Sequence, residues 1–176
     1  LVYGRKWVDG MNPDLTTNEI ELGVAETMKE IETDRVWEFT LRQNVLWHDG
    51  TPVTADDVIF GIWLALNKDA KSSGSTPPNG IKGAEKLKTE GGGSLTPPYD
   101  IVGEGATKLG DYALRIELEK ATPNYWVNWQ IGYWPMPVHL LANLPLEQVY
   151  AEPFATMPVG NGPYKNVQAL PNPAID

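Results

Sequence analysis

Alternation of apolar and polar residues predicts a strand at residues 35–42, which read RVWEFTLR. Val36, Glu38 and Thr40 fall on one side, and the other side carries Trp37, Phe39 and Leu41. A period of two, rich in aromatic and β-branched residues, is typical of a strand that buries one face. We therefore expect the second set of side chains to reach a hydrophobic core.

A buried helix is predicted from about Ala55 to Asn67. Thr54 is a suitable N-cap, and an acid at the third helical position, Asp57, completes a pattern close to a capping box. Asp56 and Asp57 both suit the positive end of the helix dipole. The following residues, VIFGIWLALNK, are apolar almost all round, which is typical of a helix surrounded by protein.

The remaining elements are mixed along the chain, without regular alternation of strands and helices. This order favours an α+β fold with a mainly antiparallel sheet and packed helices. The expected elements are a short helix in IKGAEKLKTE, strands at Ile101–Gly103 and Ala113–Leu118 around a Gly110-Asp111 turn, a helix opened by Thr122-Pro123 that runs through Trp126 and Trp129, and a short helix from about Val138.

Charge and composition exclude several classes of function. The 176-residue chain has a formal net charge of −9, which argues against a nucleic-acid partner, because phosphate binding needs a basic face. It has no cysteine, so disulfides and thiolate metal sites are excluded. No apolar run approaches the ~20 residues that cross a bilayer. The abrupt start and end indicate a piece of a longer protein.

The segment VLWHDGTPVT, residues 45–54, places His48 beside Asp49 and invites an enzymatic interpretation with a nucleophile such as Ser72 or Ser73. Adjacent residues of a strand point to opposite faces, however, and Asp-Gly after a strand is typical of a turn. The structural interpretation is therefore favoured. A zinc site is not expected, because the other histidine, His139, is far along the chain and has no ligand-like spacing.

Seven tryptophans call for a separate interpretation. Three of them, Trp37, Trp47 and Trp63, lie in segments predicted to be buried, and we assign them to the core. A second group, an aromatic cluster between residues 126 and 134, is suited either to lining a binding cleft or to core packing, and the sequence leaves both open. Its members are Trp126, Trp129, Tyr133 and Trp134.

Taken in order, these motifs resemble those of the family 5 extracellular solute-binding proteins, receptors that deliver peptides, nickel and some other solutes to ABC importers. The core of the resemblance is WHDGTPVTADD after the strand WEFTLR, which is similar to the family pattern HDGxPVTAxDV. Further matches follow in the same order: IKGAEK, DIVGEGATKLGDYALRIELEKATPNYW, PMPVHLL and MPVGNGPYK. The resemblance runs from about Leu22 to Lys165.

The resemblance implies a fold and a set of residue roles. The chain would form one lobe of a periplasmic-binding-protein type II-like receptor, without a cofactor, a metal or catalysis. The corner motif would be structural, with Pro52 setting the turn, Thr54 capping the helix and Trp47 packing inward; its members are Trp47, His48, Asp49, Gly50, Pro52, Thr54 and Asp57. Ligand-facing positions would be Ser73, Ser75, Tyr133, Trp134 and Asn161, the last at a position where the family more often has threonine.

The resemblance also implies a domain plan and a cellular role. Residues 22–157 would be the smaller second domain, with residues 1–21 and 158–176 connecting toward a first domain that the chain lacks, as it lacks a third. The partners would be a small solute, by default a peptide, the missing domains and a membrane permease. The receptor would be extracytoplasmic, either periplasmic or lipid-anchored at the outer face of the cell membrane.

Two other functions stay open at this stage. The chain is alternatively an isolated structural or interaction lobe that binds no solute, or, as the weakest hypothesis, a hydrolase of peptides or sugars. The hydrolase needs a nucleophile or a carboxylate pair that converges on His48, and no spacing indicates one. Nickel, opines and oligosaccharides remain alternatives to peptide as the solute.

Overall fold

Six strands and three α-helices follow one another in the part of the chain that the structure describes. The computed structural model describes residues 3–5, 20–70, 80–92, 104–123, 135–149, 158–162 and 165. The strands are β1 (Tyr3–Arg5), β2 (Ile20–Leu22), β3 (Ala25–Glu32), β4 (Val36–Leu41), β5 (Ala106–Gly110) and β6 (Ala113–Glu117). The helices are α1 (Ala55–Leu66), α2 (Ala84–Glu90) and α3 (Val138–Leu141), with single 3₁₀ turns at Lys68–Ala70 and Leu146–Gln148.

The central sheet has four antiparallel strands in the order β3-β4-β6-β5. The predicted strand β4 lies inside it, so that Phe39 faces Leu114 and Trp37 faces Ile116 across the β4–β6 ladder. A separate antiparallel pair joins β1 to β2. These features confirm the α+β class with a mainly antiparallel sheet.

The β5–β6 hairpin turns at residues 111–112, close to the predicted Gly110-Asp111 turn. Its second strand agrees with the prediction, and its first strand is Ala106–Gly110. The pattern missed this first strand, because β5 is an edge strand whose middle residues are all exposed and therefore do not alternate. Residues 101–103, where a strand was predicted, lie outside the described residues, as does the predicted helix beyond Pro123.

The core lies between one face of the sheet and α1. Trp37, Phe39 and Leu41 are buried there, as the alternation predicts, and Val36, at the start of the strand, is buried as well. Helix α1 is buried on nearly every side, and its Phe60 and Trp63 rings stack with centroids 6.1 Å apart. Burying such a side chain stabilises a fold by roughly 1.5–3 kcal/mol.

Helices α1 and α3 begin where the sequence predicts. Helix α1 spans Ala55–Leu66, with Asn67 as its C-cap instead of its last residue. Helix α3 starts at Val138 after two prolines, and α2 ends at Glu90, followed by Gly91 as its C-cap with a φ of +68°. None of the helices in the described ranges is long and apolar enough to cross a membrane.

Candidate functional site

The segment that follows β4 and ends in the first turn of α1 folds tightly, and we call it the corner (residues 45–57). Leu46 pairs with Pro52 as an isolated antiparallel bridge, and the amide of Trp47 donates to the carbonyl of Thr51 at 2.8 Å. Gly50 turns the chain with a φ of +92°, a region that glycine enters without the steric cost of a Cβ. The corner is therefore closed by hydrogen bonds within its own backbone.

Asp57 joins the corner to α3. Its Oδ2 accepts hydrogen bonds from the backbone N–H of Thr54 at 2.7 Å and from the Thr54 hydroxyl at 3.1 Å. Its Oδ1 accepts from the N–H of Val138 at 3.0 Å. The side chain thus forms the predicted capping box with Thr54, and it also binds the N–H of Val138 at the start of α3, a contact that the sequence did not indicate.

Asp57 is also a buried acid, with 4% of its surface exposed. Burial raises the pKa of its carboxyl, while the hydrogen bonds from Thr54 and Val138 act in the opposite direction. Trp47, which the sequence assigns to the core, is buried too, with 3% of its surface exposed. A buried carboxylate is tolerated only where donors surround it, and this corner supplies them.

His48 holds the segment 158–162, which we call the clasp segment. The backbone N–H of His48 donates to the carbonyl of Gly160 at 2.9 Å, and the N–H of Gly160 donates to Nδ1 of the ring at 3.2 Å. The other ring nitrogen, Nε2, lies 2.9 Å from the carbonyl of Gly162. Since Nδ1 accepts, the proton belongs on Nε2, and the imidazole is neutral in this arrangement.

This arrangement argues against His48 as a general base. Both ring nitrogens are committed to backbone groups, so no lone pair is left to activate a nucleophile. Asp49 does not orient the ring either, because its carboxylate bonds elsewhere. The adjacent His-Asp pair is therefore not a catalytic pair in this structure.

Asp49 pairs instead with His139, a contact that the sequence analysis missed. Asp49 Oδ2 lies 2.7 Å from His139 Nε2, and Asp49 Oδ1 accepts from the N–H of Thr51 at 3.0 Å. These interactions, the one with His139 first, lower the pKa of Asp49 to about 2. The one sequence signal for this contact was the family order, in which PMPVHLL follows the corner motif. PMPVHLL contains α3, whose neighbouring residues Val138 and His139 bind Asp57 and Asp49 of the corner.

Of the five predicted ligand-facing residues, only Asn161 lies within the described ranges. Asn161 is half-buried between Gly160 and Gly162, both of which bind His48. Its amide nitrogen is buried, and no acceptor in the described structure lies within hydrogen-bond distance. Ser73, Ser75, Tyr133 and Trp134 lie outside the described residues.

A metal centre is not formed by these groups. Across the residues that the structure describes, histidine and acidic side chains nowhere gather in a group of three or more that would suit a metal ion. The Asp49–His139 pair supplies two ligands at most, and His48 is engaged with the clasp segment.

The corner, α3 and the clasp segment together contain three of the motifs that carry the family resemblance. Residues 19–175 match the family model for bacterial extracellular solute-binding proteins, family 5 Middle. The chain belongs to this family. The match covers most of the chain and includes every described contact of the corner.

Individual family 5 relatives agree with this assignment. The oligopeptide-binding protein AppA of Bacillus subtilis (strain 168) is 28% identical over 148 residues, which are 83% of this chain and 23% of AppA. The periplasmic murein peptide-binding protein MppA of Escherichia coli (strain K12) is 31% identical over 160 residues, which are 91% of this chain and 28% of MppA.

Solved family 5 structures have the same fold over the matched region. The E. coli murein tripeptide binding protein MppA superimposes with a TM-score of 0.62 at 26% identity, covering 86% of this chain and 28% of MppA. NikZ from Campylobacter jejuni, in complex with Ni(L-His), gives a TM-score of 0.56 at 28% identity, covering 84% of this chain and 24% of NikZ. The chain thus spans about a quarter of the length of the relatives it matches.

Proposed function

We propose that this chain is part of an extracytoplasmic receptor that captures a peptide and passes it to the permease of an ABC importer. The observation that carries the proposal is the family match over residues 19–175. It is supported by the two sequence relatives, which are named as an oligopeptide-binding and a murein peptide-binding protein. We place the receptor outside the cytoplasm, in the periplasm or at a lipid anchor on the outer face of the cell membrane; MppA, one of these relatives, is named as a periplasmic protein.

The proposed mechanism is capture by lobe closure. A solute is trapped between two lobes as a hinge closes, and its burial and the satisfaction of its polar groups supply the binding energy. A peptide offers backbone donors and acceptors for this purpose, as it does when it adds to a sheet. No covalent bond is made or broken, so the protein is not an enzyme, in agreement with the commitment of both ring nitrogens of His48.

In this proposal residues 22–157 are the smaller second domain, while residues 1–21 and 158–176 connect toward the first domain of the receptor. The residues that face the solute are Ser73, Ser75, Tyr133, Trp134 and Asn161. Asn161 has one supporting feature, its buried amide nitrogen without an acceptor in the described structure, since such a donor usually has a partner. The amide is closed off from solvent here, so a solute would reach it only after a local movement.

Calorimetry and thermal unfolding of the chain with short peptides test the proposal. A ligand at 100 times its dissociation constant stabilises the folded state by about 2.7 kcal/mol, which is readily seen as a raised midpoint. We expect tri- to nonapeptides to raise it, whereas an equimolar mixture of free amino acids, as the matched control, does not. A cooperative unfolding transition that no peptide moves would contradict a role of this chain in peptide capture.

A nickel chelate is the second candidate solute, because NikZ, a protein of the same fold at 28% identity, was solved with Ni(L-His). The same thermal-unfolding screen distinguishes a peptide from a nickel chelate as the solute. A midpoint raised by Ni(L-His), but not by free histidine or by nickel held in EDTA, would favour the chelate over peptide. If neither class acts, the remaining interpretation is a lobe that serves only structure or interaction.

A further inference from the structure

His48 holds the clasp segment through its backbone as well as through its ring. His48 uses its backbone N–H and both ring nitrogens on Gly160 and Gly162, and its own carbonyl accepts from Nζ of Lys165 at 3.1 Å. Every polar group of His48 therefore contacts the chain between residues 160 and 165. The two partners are separated from His48 by 112 and 114 residues, so these contacts fix a distant part of the chain.

The packing around Gly160 shows how closely the ring and the backbone approach. A Cβ added to Gly160 would lie 3.2 Å from Cε1 of His48, which is tighter than ordinary van der Waals contact. A Cβ added to Gly162 would meet nothing within 4 Å. The ring thus closes over one glycine of the clasp segment and binds the other only through its carbonyl.

We propose that His48 is a positioning residue that sets where the clasp segment leaves the lobe. The neutral ring contacts the clasp segment from both nitrogens, accepting from Gly160 at Nδ1 and donating to Gly162 at Nε2. On the proposed function, this segment leads back toward the first domain, so the clasp would fix the lobe's end of the connection between domains. Only the connection to the first domain depends on the proposed function. The contacts of His48 with Gly160 and Gly162 do not.

Three substitutions of His48 distinguish the hydrogen bond accepted at Nδ1 from the one donated at Nε2. His48→Asn keeps an acceptor near the position of Nδ1, and His48→Gln keeps a donor near the position of Nε2. His48→Leu keeps apolar volume and loses both. We measure amide hydrogen exchange by NMR at Gly160, with Leu41 as a reference amide, since Leu41 donates to Tyr112 at 2.7 Å within the sheet region.

We expect exchange at Gly160 to rise about tenfold in His48→Leu and about as much in His48→Gln, while His48→Asn stays closer to the native chain. Leu41 should change little in all three. Unchanged exchange at Gly160 in His48→Leu would overturn the proposal. An equal rise in all three variants would also overturn it, because it would show that ring packing, and not the acceptor, holds the segment. If His48→Leu does not fold, the difference in Gly160 exchange between His48→Asn and His48→Gln still tests whether the acceptor at Nδ1 holds the segment.

A double-mutant cycle tests the close approach independently. Gly160→Ala should lower the midpoint of thermal unfolding in the native chain, and much less in a His48→Ala background, because the methyl group meets a ring that is then absent. Gly162→Ala is the matched control, and its effect should be the same in both backgrounds. Equal effects of Gly160→Ala in the two backgrounds would contradict the clasp.

Both experiments are done without a ligand. Their failure would remove the clasp and leave the proposal of peptide capture untouched. Conversely, a chain that binds no peptide but shows selective exchange at Gly160 would retain the clasp and lose the proposed function.

Discussion

The body of helix α1 after Asp57 and the corner, which ends in the first turn of that helix, are adjacent in sequence, yet they are held in place by different interactions. Helix α1 is stabilised by apolar contacts on nearly every side. The corner is held by polar side chains, and Asp57, Asp49 and His48 bind groups that lie 81, 90 and 114 residues away. Apolar burial is non-directional and tolerates small shifts, whereas each polar contact requires one particular partner. The two regions should therefore respond differently to substitution.

The largest loss of stability is expected in α1. Trp63 has 0% of its surface exposed and stacks on Phe60. We expect Trp63→Ala to lower the free energy of unfolding by about 3–5 kcal/mol, because it removes buried area and leaves a cavity. Denaturant unfolding measures this loss. The control is Leu109→Ala, since Leu109 is 47% exposed and its truncation should change the free energy of unfolding by less than about 0.5 kcal/mol. Equal losses would show that α1 is not the centre of the core.

The largest effect in the corner is expected at Asp57. Asp57→Asn replaces one carboxylate oxygen by an NH₂ group, so at least one of the donors from Thr54 and Val138 then meets a donor instead of an acceptor. We expect a loss of about 2 kcal/mol in the free energy of unfolding, since a buried donor is left without a partner.

Asp56→Asn is the matched control for that loss, because the neighbouring acid forms an exposed ion pair with Lys108 at 2.7 Å. Its effect should stay below about 1 kcal/mol. If the two variants lost the same stability, the buried position of Asp57 would have no special importance.

Helix α1 and β4 were predictable because their evidence is local. A period of two places Trp37, Phe39 and Leu41 on one face, and the cap at Thr54 marks where the helix begins. These signals depend on neighbours within a few residues, so no knowledge of the rest of the fold was needed. Strand β5 was missed for the same reason, since an exposed edge strand has no reason to alternate.

The corner was only half predictable. The Asp-Gly turn is a local signal, and Gly50 does turn the chain there. The partners of the three polar side chains are not local, and nothing in the spacing of His48, Asp49 and His139 indicates which of them meet. A hydrogen bond between side chains 90 residues apart becomes visible only when α3 is in place. The family order was the one sequence signal that linked these segments.

The contact between Asp49 and His139 should also make the stability of the fold depend on pH, which gives a second test of that contact. The pKa of Asp49 is lowered from its ordinary value of 3.8 to about 2, with the hydrogen bond to His139 as the largest cause. A lowered pKa means that the carboxylate form stabilises the native state. This contribution is present above about pH 4 and is lost as the pH falls toward 2, where native Asp49 takes up its proton.

NMR titration of the Asp49 carboxyl measures this directly. His139→Leu should raise the pKa of Asp49 toward its ordinary value, although not fully, since the N–H of Thr51 still donates to it. His139→Gln is the matched control, because its amide still offers a donor and should retain part of the effect. An unchanged pKa in His139→Leu would show that the pair does not form in solution.

The smallest effect is expected for a polar pair on the open face of the sheet. Glu38 faces Arg115 across β4 and β6, with Glu38 Oε1 2.6 Å from Arg115 Nη2, but the two side chains are 30% and 43% exposed. Water competes for both groups, so Glu38→Gln should lower the free energy of unfolding by less than about 1 kcal/mol, and by less still in high salt. A double-mutant cycle with Arg115→Met isolates the pair from other contacts of either residue. The distance is as short as any in the corner, so geometry alone would predict equal importance. A coupling as large as the loss in Asp57→Asn would show that proximity decides the strength of these contacts, whereas a small coupling would assign the strength of the corner to burial.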